Sequence, residues 1–90
     1  MAIQNPTLLT VSDHAAAKFA YRVDATLDCD DILAYWYGGE FATADQRSAF
    51  GVPYHVKNTT KVATHNGIQF LMIARDLVIV TVRTLDNKMG

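Results

Sequence analysis

The dipeptide Asn66-Gly67 most constrains how this chain can fold, because it interrupts a long stretch of β-branched and apolar residues. Asn-Gly suits the two left-handed positions of a tight hairpin turn, and its strand-forming flanks make His65 and Ile68 the first residues to face each other. The run from Ile68 to Leu85 is too long for one strand, so a second reversal is expected at Arg75-Asp76. The C-terminal third therefore reads as a three-stranded antiparallel meander, with Tyr54 to Lys57 as a further strand at its start.

Two-residue turns at both reversals set the pairing. His65 then faces Ile68, Ala63 faces Phe70, Ala74 faces Leu77, Phe70 faces Thr81 and Ile68 faces Arg83. Alternation puts Val62, Leu71, Ile73, Val78, Val80 and Val82 on one aliphatic face, expected to lie beneath the helices. The opposite face carries Lys61, His65, Thr81 and Arg83 beside Ile68, Phe70, Met72 and Ile79. That mixture is too apolar to stand bare in water and too basic for ordinary core, so it is expected to be an open interaction surface.

Upstream the pattern is helical. Ser12 is placed as an N-cap for an alanine-rich helix over His14 to Val23, with Ala15, Phe19 and Val23 on its apolar stripe. His14, Lys18 and Arg22 recur every fourth residue on an adjacent stripe. Asp28 caps a second helix over Cys29 to Tyr37, ended by Gly38-Gly39, and Thr43-Ala44-Asp45-Gln46 reads as a capping box for a short third helix closed by Gly51. The expected class is α+β: two to three N-terminal helices packed on one face of a three- to four-stranded antiparallel β-meander. Residues 1–90 read as a single domain, in which residues 1–11 form an N-terminal arm or an edge strand.

Eight Lys and Arg against nine Asp and Glu give a net charge of -1, so any polyanion site must be local. A single cysteine, Cys29, excludes an intramolecular disulfide and fits a reducing compartment, with the cytoplasm expected. No apolar run has the length of a membrane span and no leader pattern opens the chain, so no membrane role is expected. His14, His55 and His65 lack chelating spacing, and Asp28, Asp30 and Asp31 are explained by helix capping; neither metal nor cofactor is expected. Tyr35-Trp36-Tyr37 offers aromatic surface for a base or a protein partner, one side of it being core.

Two uses of the mixed face follow. As a protein-binding surface it would work through Phe70, Met72, Ile68 and Thr81, with Trp36 nearby, and aspartate at Phe70 or Met72 would abolish binding without unfolding the chain. As a catalytic surface it would cleave RNA without metal, His65 moving protons while Lys61 and Arg83 hold phosphate. His14, Lys18 and Arg22 form a second anion-binding candidate, set against the ordinary reading of a solvated helix face.

The segment from Val11 through His14, Lys18 and Arg22, followed by Val78-Ile79-Val80-Thr81-Val82, resembles a family of short phage and bacterial proteins related to the RelE and BrnT toxins. Lys18 stands where an Arg is usual, and Tyr21 where an acidic residue is common. The resemblance implies a ribonuclease fold and a phage or mobile-element origin. The leading expectation is a small intracellular binding or inhibitor protein engaging a host macromolecule, a host protein first and RNA second. The alternatives are a RelE/BrnT-like ribonuclease toxin and a structural homodimer covering its own apolar face.

Overall fold

A computed structural model of the chain describes residues 9–85. Among them lie strand β1 (Thr10–Val11), helices α1 (Asp13–Arg22) and α2 (Cys29–Gly38), strand β2 (Glu40–Phe41), helix α3 (Ala44–Ala49), and strands β3 (Asn58–His65), β4 (Ile68–Arg75) and β5 (Val78–Thr84). The class is α+β, and the strands make one five-stranded sheet in the order β1-β5-β4-β3-β2. It is antiparallel except where β1 runs parallel to β5, so the expected meander is the centre of a larger mixed sheet.

The additional strands are two-residue edges. Thr10 and Val11 supply β1, and the rest of the expected N-terminal arm, residues 1–8, lies outside the described residues. Glu40 and Phe41 pair with Val62 and Lys61, taking the place beside β3 expected for Tyr54 to Lys57, which is not strand.

The helices begin where the capping side chains put them. Ser12 Oγ accepts the Ala15 N–H at 3.0 Å. Asp28 and Asp31 exchange reciprocal bonds at 2.9 and 3.1 Å, as Thr43 and Gln46 do at 3.1 and 2.9 Å. Each such cap contributes about 1 kcal/mol by satisfying helix-end donors. At the end of α2, a Cβ on Gly39 would lie 2.9 Å from both the Tyr35 and Val62 carbonyl oxygens. Only glycine lets the chain leave α2 so close to β3.

β4 is the central strand, and Phe70 through Ala74 are all buried. A continuous apolar run of this kind belongs to a strand covered on both sides. Phe70, Met72 and Ala74 pack with Ala15 and Phe19 of α1 and Ile32 and Trp36 of α2. On the reverse side Leu71, Ile73 and Val62 pack with Phe50 and Val52, from the segment that leaves α3. The expected sidedness is thus inverted. The helices cover the face of Phe70 and Met72, which carries the largest buried side chain of the sheet, Phe70, and the second face is covered by the chain beyond α3.

The first hairpin has the expected register, with His65 opposite Ile68 and Ala63 opposite Phe70. The second does not. Its turn is Asp76-Leu77, so Arg75 faces Val78 and Ala74 faces Ile79. The register then slips between Ile73 and Ala74, so that Ile73 faces Thr81 and Val80 is the extra residue of a bulge. One inserted residue reverses which side every later side chain takes. Val82 therefore joins Phe70 and Met72, whereas Thr81 and Arg83 move to the side of Ile73 and Leu71.

Asp76 and Leu77 both adopt left-handed backbone, with φ of 54° and 64°. Asp tolerates this conformation and Leu does not, so the turn holds a strained residue whose side chain is half exposed. Leu77→Gly is expected to raise the unfolding free energy by about 0.5–1 kcal/mol, the relief of strain exceeding the added freedom of the unfolded chain. Urea unfolding checks this, and a midpoint unchanged or lowered contradicts it.

Candidate functional site

α1 follows β1 with only Ser12 between them, which brings the helix alongside the outer edge of β5. β1 covers that edge only as far as Ile79, to whose carbonyl Ser12 N–H donates at 3.0 Å. Beyond this point side chains of the α1 segment cap the strand. The Ser12 hydroxyl lies 3.5 Å from the Val80 carbonyl, and Arg22 Nη1 donates to the Val82 carbonyl at 2.9 Å. Polar capping of this kind blunts an edge that would otherwise pair with other strands.

The helix overhangs the edge and leaves an open groove of about 640 Å³, lined by His14, Lys18, Arg22, Val80, Thr81 and Arg83. The four-residue spacing on α1 supplies the first three, and the bulge at Val80 turns Thr81 and Arg83 toward them. None of the lining residues is acidic. Among the described residues His14, Lys18 and Arg83 have no hydrogen-bond or ion-pair partner, whereas Arg22 is held against the strand. Cationic groups uncommitted to internal partners and gathered in a concave site favour an anion there, although the whole chain is slightly negative.

The other site expected from the sequence is not assembled. His65 and Lys61 stand on the Phe70 side of the sheet, and Arg83, paired with Leu71, stands on the reverse side. Lys61 Nζ donates to the Trp36 carbonyl at 3.0 Å and sits 5.2 and 4.9 Å from the Trp36 and Phe41 ring centroids, closing the end of α2. Phe70 and Met72 are 0% exposed and Trp36 is buried, so they form core where a contact surface was expected. Ile68 is half-buried beside the hairpin turn. Of the expected binding residues, the structure brings together His14, Lys18, Arg22 and Thr81, and adds Arg83 from the catalytic set.

His65 is instead the centre of a polar chain. Its Nε2 lies 2.9 Å from an Asp24 oxygen, and its Nδ1 lies 2.6 Å from the Tyr35 hydroxyl. An ionised Asp24 accepts from a protonated Nε2, and the Tyr35 hydroxyl pairs with Nδ1. This ties the β3–β4 hairpin to α2 and to the connection after α1. Hydrogen bonds from the Thr26 hydroxyl and backbone N–H, then from His65, lower the Asp24 pKa to about 2.

Because the folded pKa is depressed, Asp24 stabilises the fold above the unfolded carboxylate pKa of about 4, and this is lost as pH falls through the folded value. Asp24→Asn is therefore expected to be less stable than the parent near neutrality, and the gap is expected to close between pH ~4 and ~2. Urea titrations across that window test this; a gap that stays constant assigns the effect to geometry rather than charge. The sequence signal for this chain was slight: Asp24 and Thr26 have the spacing of an Asx turn, but nothing local links them to His65 or Tyr35.

Among the described residues no cluster of His, Cys, Asp or Glu could hold a metal ion. Cys29 is free and exposed, and no helix of the described residues is long and apolar enough to cross a membrane. No protein-family model, no curated protein and no solved structure matches this chain.

Proposed function

We propose that the groove between α1 and β5 binds the phosphodiester backbone of RNA, and that the protein is a metal-independent ribonuclease. The observation that carries this reading is the convergence of His14, Lys18, Arg22 and Arg83 in one groove without an acidic residue. Cleavage by the 2′-hydroxyl needs a proton acceptor, a proton donor for the leaving oxygen and positive charge around the phosphorane. His14 is the one lining side chain that carries an imidazole, the group most often used as a general acid or base. It accepts the 2′-hydroxyl proton as the cyclic phosphate forms and delivers it to the departing 5′-oxygen. Lys18, Arg22 and Arg83 stabilise the charge that builds on the non-bridging oxygens, and the Thr81 hydroxyl, which lines the same groove, donates to one of them.

The leading expectation, a host-protein inhibitor, needed Phe70, Met72 and Trp36 at an open sheet face, and all three are buried. The toxin resemblance is carried by the same α1 and β5 residues that line the groove, and it too points to RNA. The deciding experiment is incubation of the purified, folded protein with single-stranded RNA in EDTA. Cleavage that leaves 2′,3′-cyclic ends supports the reading, and RNA still intact after prolonged incubation sinks it. Binding is expected to weaken with salt at a logarithmic slope of about -2, the value for three cations on single-stranded nucleic acid.

A further inference from the structure

We infer that the groove continues past Arg83 into a base-stacking subsite built on Tyr54, which makes the preferred ligand a single-stranded rather than a duplex nucleic acid. This rests on the phosphodiester reading of the groove. Arg83 is the link: its Nη1 lies 3.7 Å from where a Cβ on Gly51 would stand, and Gly51 lines a second open cavity of about 450 Å³ with Ala44, Arg47, Val52, Pro53 and Tyr54. The guanidinium lines the first hollow and lies beside Gly51 at the rim of the second, so a strand whose phosphate meets Arg83 would carry its neighbouring base over Gly51 toward Tyr54.

The ring is prepared for that role. Tyr54 is 71% exposed, although a tyrosine in a 90-residue chain has a core available to it. The Arg47 guanidinium sits 5.5 Å from its ring centroid, and Arg47 Nη1 donates to the Ala42 carbonyl at 3.1 Å. The cation is anchored before it meets the ring, so the ring is ordered from behind. An ordered, exposed aromatic face beside a cationic groove is the arrangement that binds single strands, because every base offers a π-face and a duplex keeps its bases stacked inside. Gly51 contributes by having no side chain between Arg83 and the cavity.

The test uses fluorescence anisotropy at low salt with a labelled 2′-O-methyl RNA hexamer, which lacks the attacking hydroxyl and cannot be cleaved, its duplex, and a series carrying one abasic residue at each position in turn. The full-length protein is compared with Tyr54→Ala, Tyr54→Trp and Lys18→Ala, each checked for folding by circular dichroism. Tyr54→Ala is expected to weaken hexamer binding about tenfold to a hundredfold, with Tyr54→Trp restoring it. The parent is expected to lose affinity for one abasic hexamer, and on that hexamer Tyr54→Ala is expected to bind as the parent does. If Lys18→Ala weakens binding but Tyr54→Ala and every abasic position leave it unchanged, the subsite is overturned and the groove stands. If Tyr54→Ala weakens all abasic hexamers equally, the ring has only a structural role and the subsite is likewise overturned. A parent protein that binds no hexamer overturns the groove and the subsite together.

Discussion

Phe70→Ala is expected to lower the unfolding free energy by about 3–5 kcal/mol, the range for removing a fully buried aromatic ring. Phe70 is 0% exposed, and its ring meets those of Phe19 and Tyr35 edge-on at centroid distances of 5.2 and 5.4 Å. It therefore joins the sheet to both long helices at one point. A domain of this size has a total stability of about 5–13 kcal/mol, so the variant is expected to lose about a quarter or more of it. Phe70→Asp, which would leave folding intact on an open face, is instead expected to prevent folding, since it buries a carboxylate without a partner. Tyr21, 85% exposed on α1, provides the control: Tyr21→Ala is expected to change stability by about 0.5 kcal/mol or less. Chemical denaturation of the three variants checks the series, and a cooperative, parent-like transition for Phe70→Ala would contradict the burial it rests on.

His14→Ala is expected to reduce RNA cleavage by about 10²–10⁴-fold while RNA affinity changes little, because the imidazole's part is proton transfer and the phosphate is held by the lysine and arginines. Lys18→Ala and Arg83→Ala are expected to behave differently, weakening binding and lowering the salt slope by about 0.7 each. His14 is exposed in the first turn of α1 and supports no part of the core, so the loss is not expected to come from unfolding. His65→Ala is the informative comparison. It removes the bonds to Asp24 and Tyr35 and is expected to lower stability, yet to leave the cleavage of still-folded protein in place. The opposite pattern, cleavage surviving His14→Ala and disappearing from folded His65→Ala, would move the chemistry to the other side of the sheet.

Several features of the groove are legible in the sequence. The spacing of His14, Lys18 and Arg22 placed them on one stripe, and Ser12 located the start of their helix. Thr81 and Arg83 stand out in the same sequence, but unbroken alternation along β5 puts them on the wrong side. Two long-range facts were missing. The turn at Asp76-Leu77 puts a leucine where glycine or asparagine would have announced it, and the bulge at Val80 has no residue signature in a run of valine, isoleucine and threonine. Each depends on how the whole sheet relaxes against its two layers, not on the residues that make it.

Local chemistry decided what is local here. The side chains of Ser12, Asp28 and Thr43 determined where three helices begin, and Asn66-Gly67 determined one hairpin and its register, because each acts on backbone groups within a few residues. Only the tertiary structure decided which face the helices cover, where the register slips and which basic residues meet. Alternation specifies two faces but not which is inward; packing the larger side chains of Phe70 and Met72 against Phe19, Ile32 and Trp36 made that choice. The single inserted residue at Val80 then carried Arg83 away from His65 and into the groove with His14.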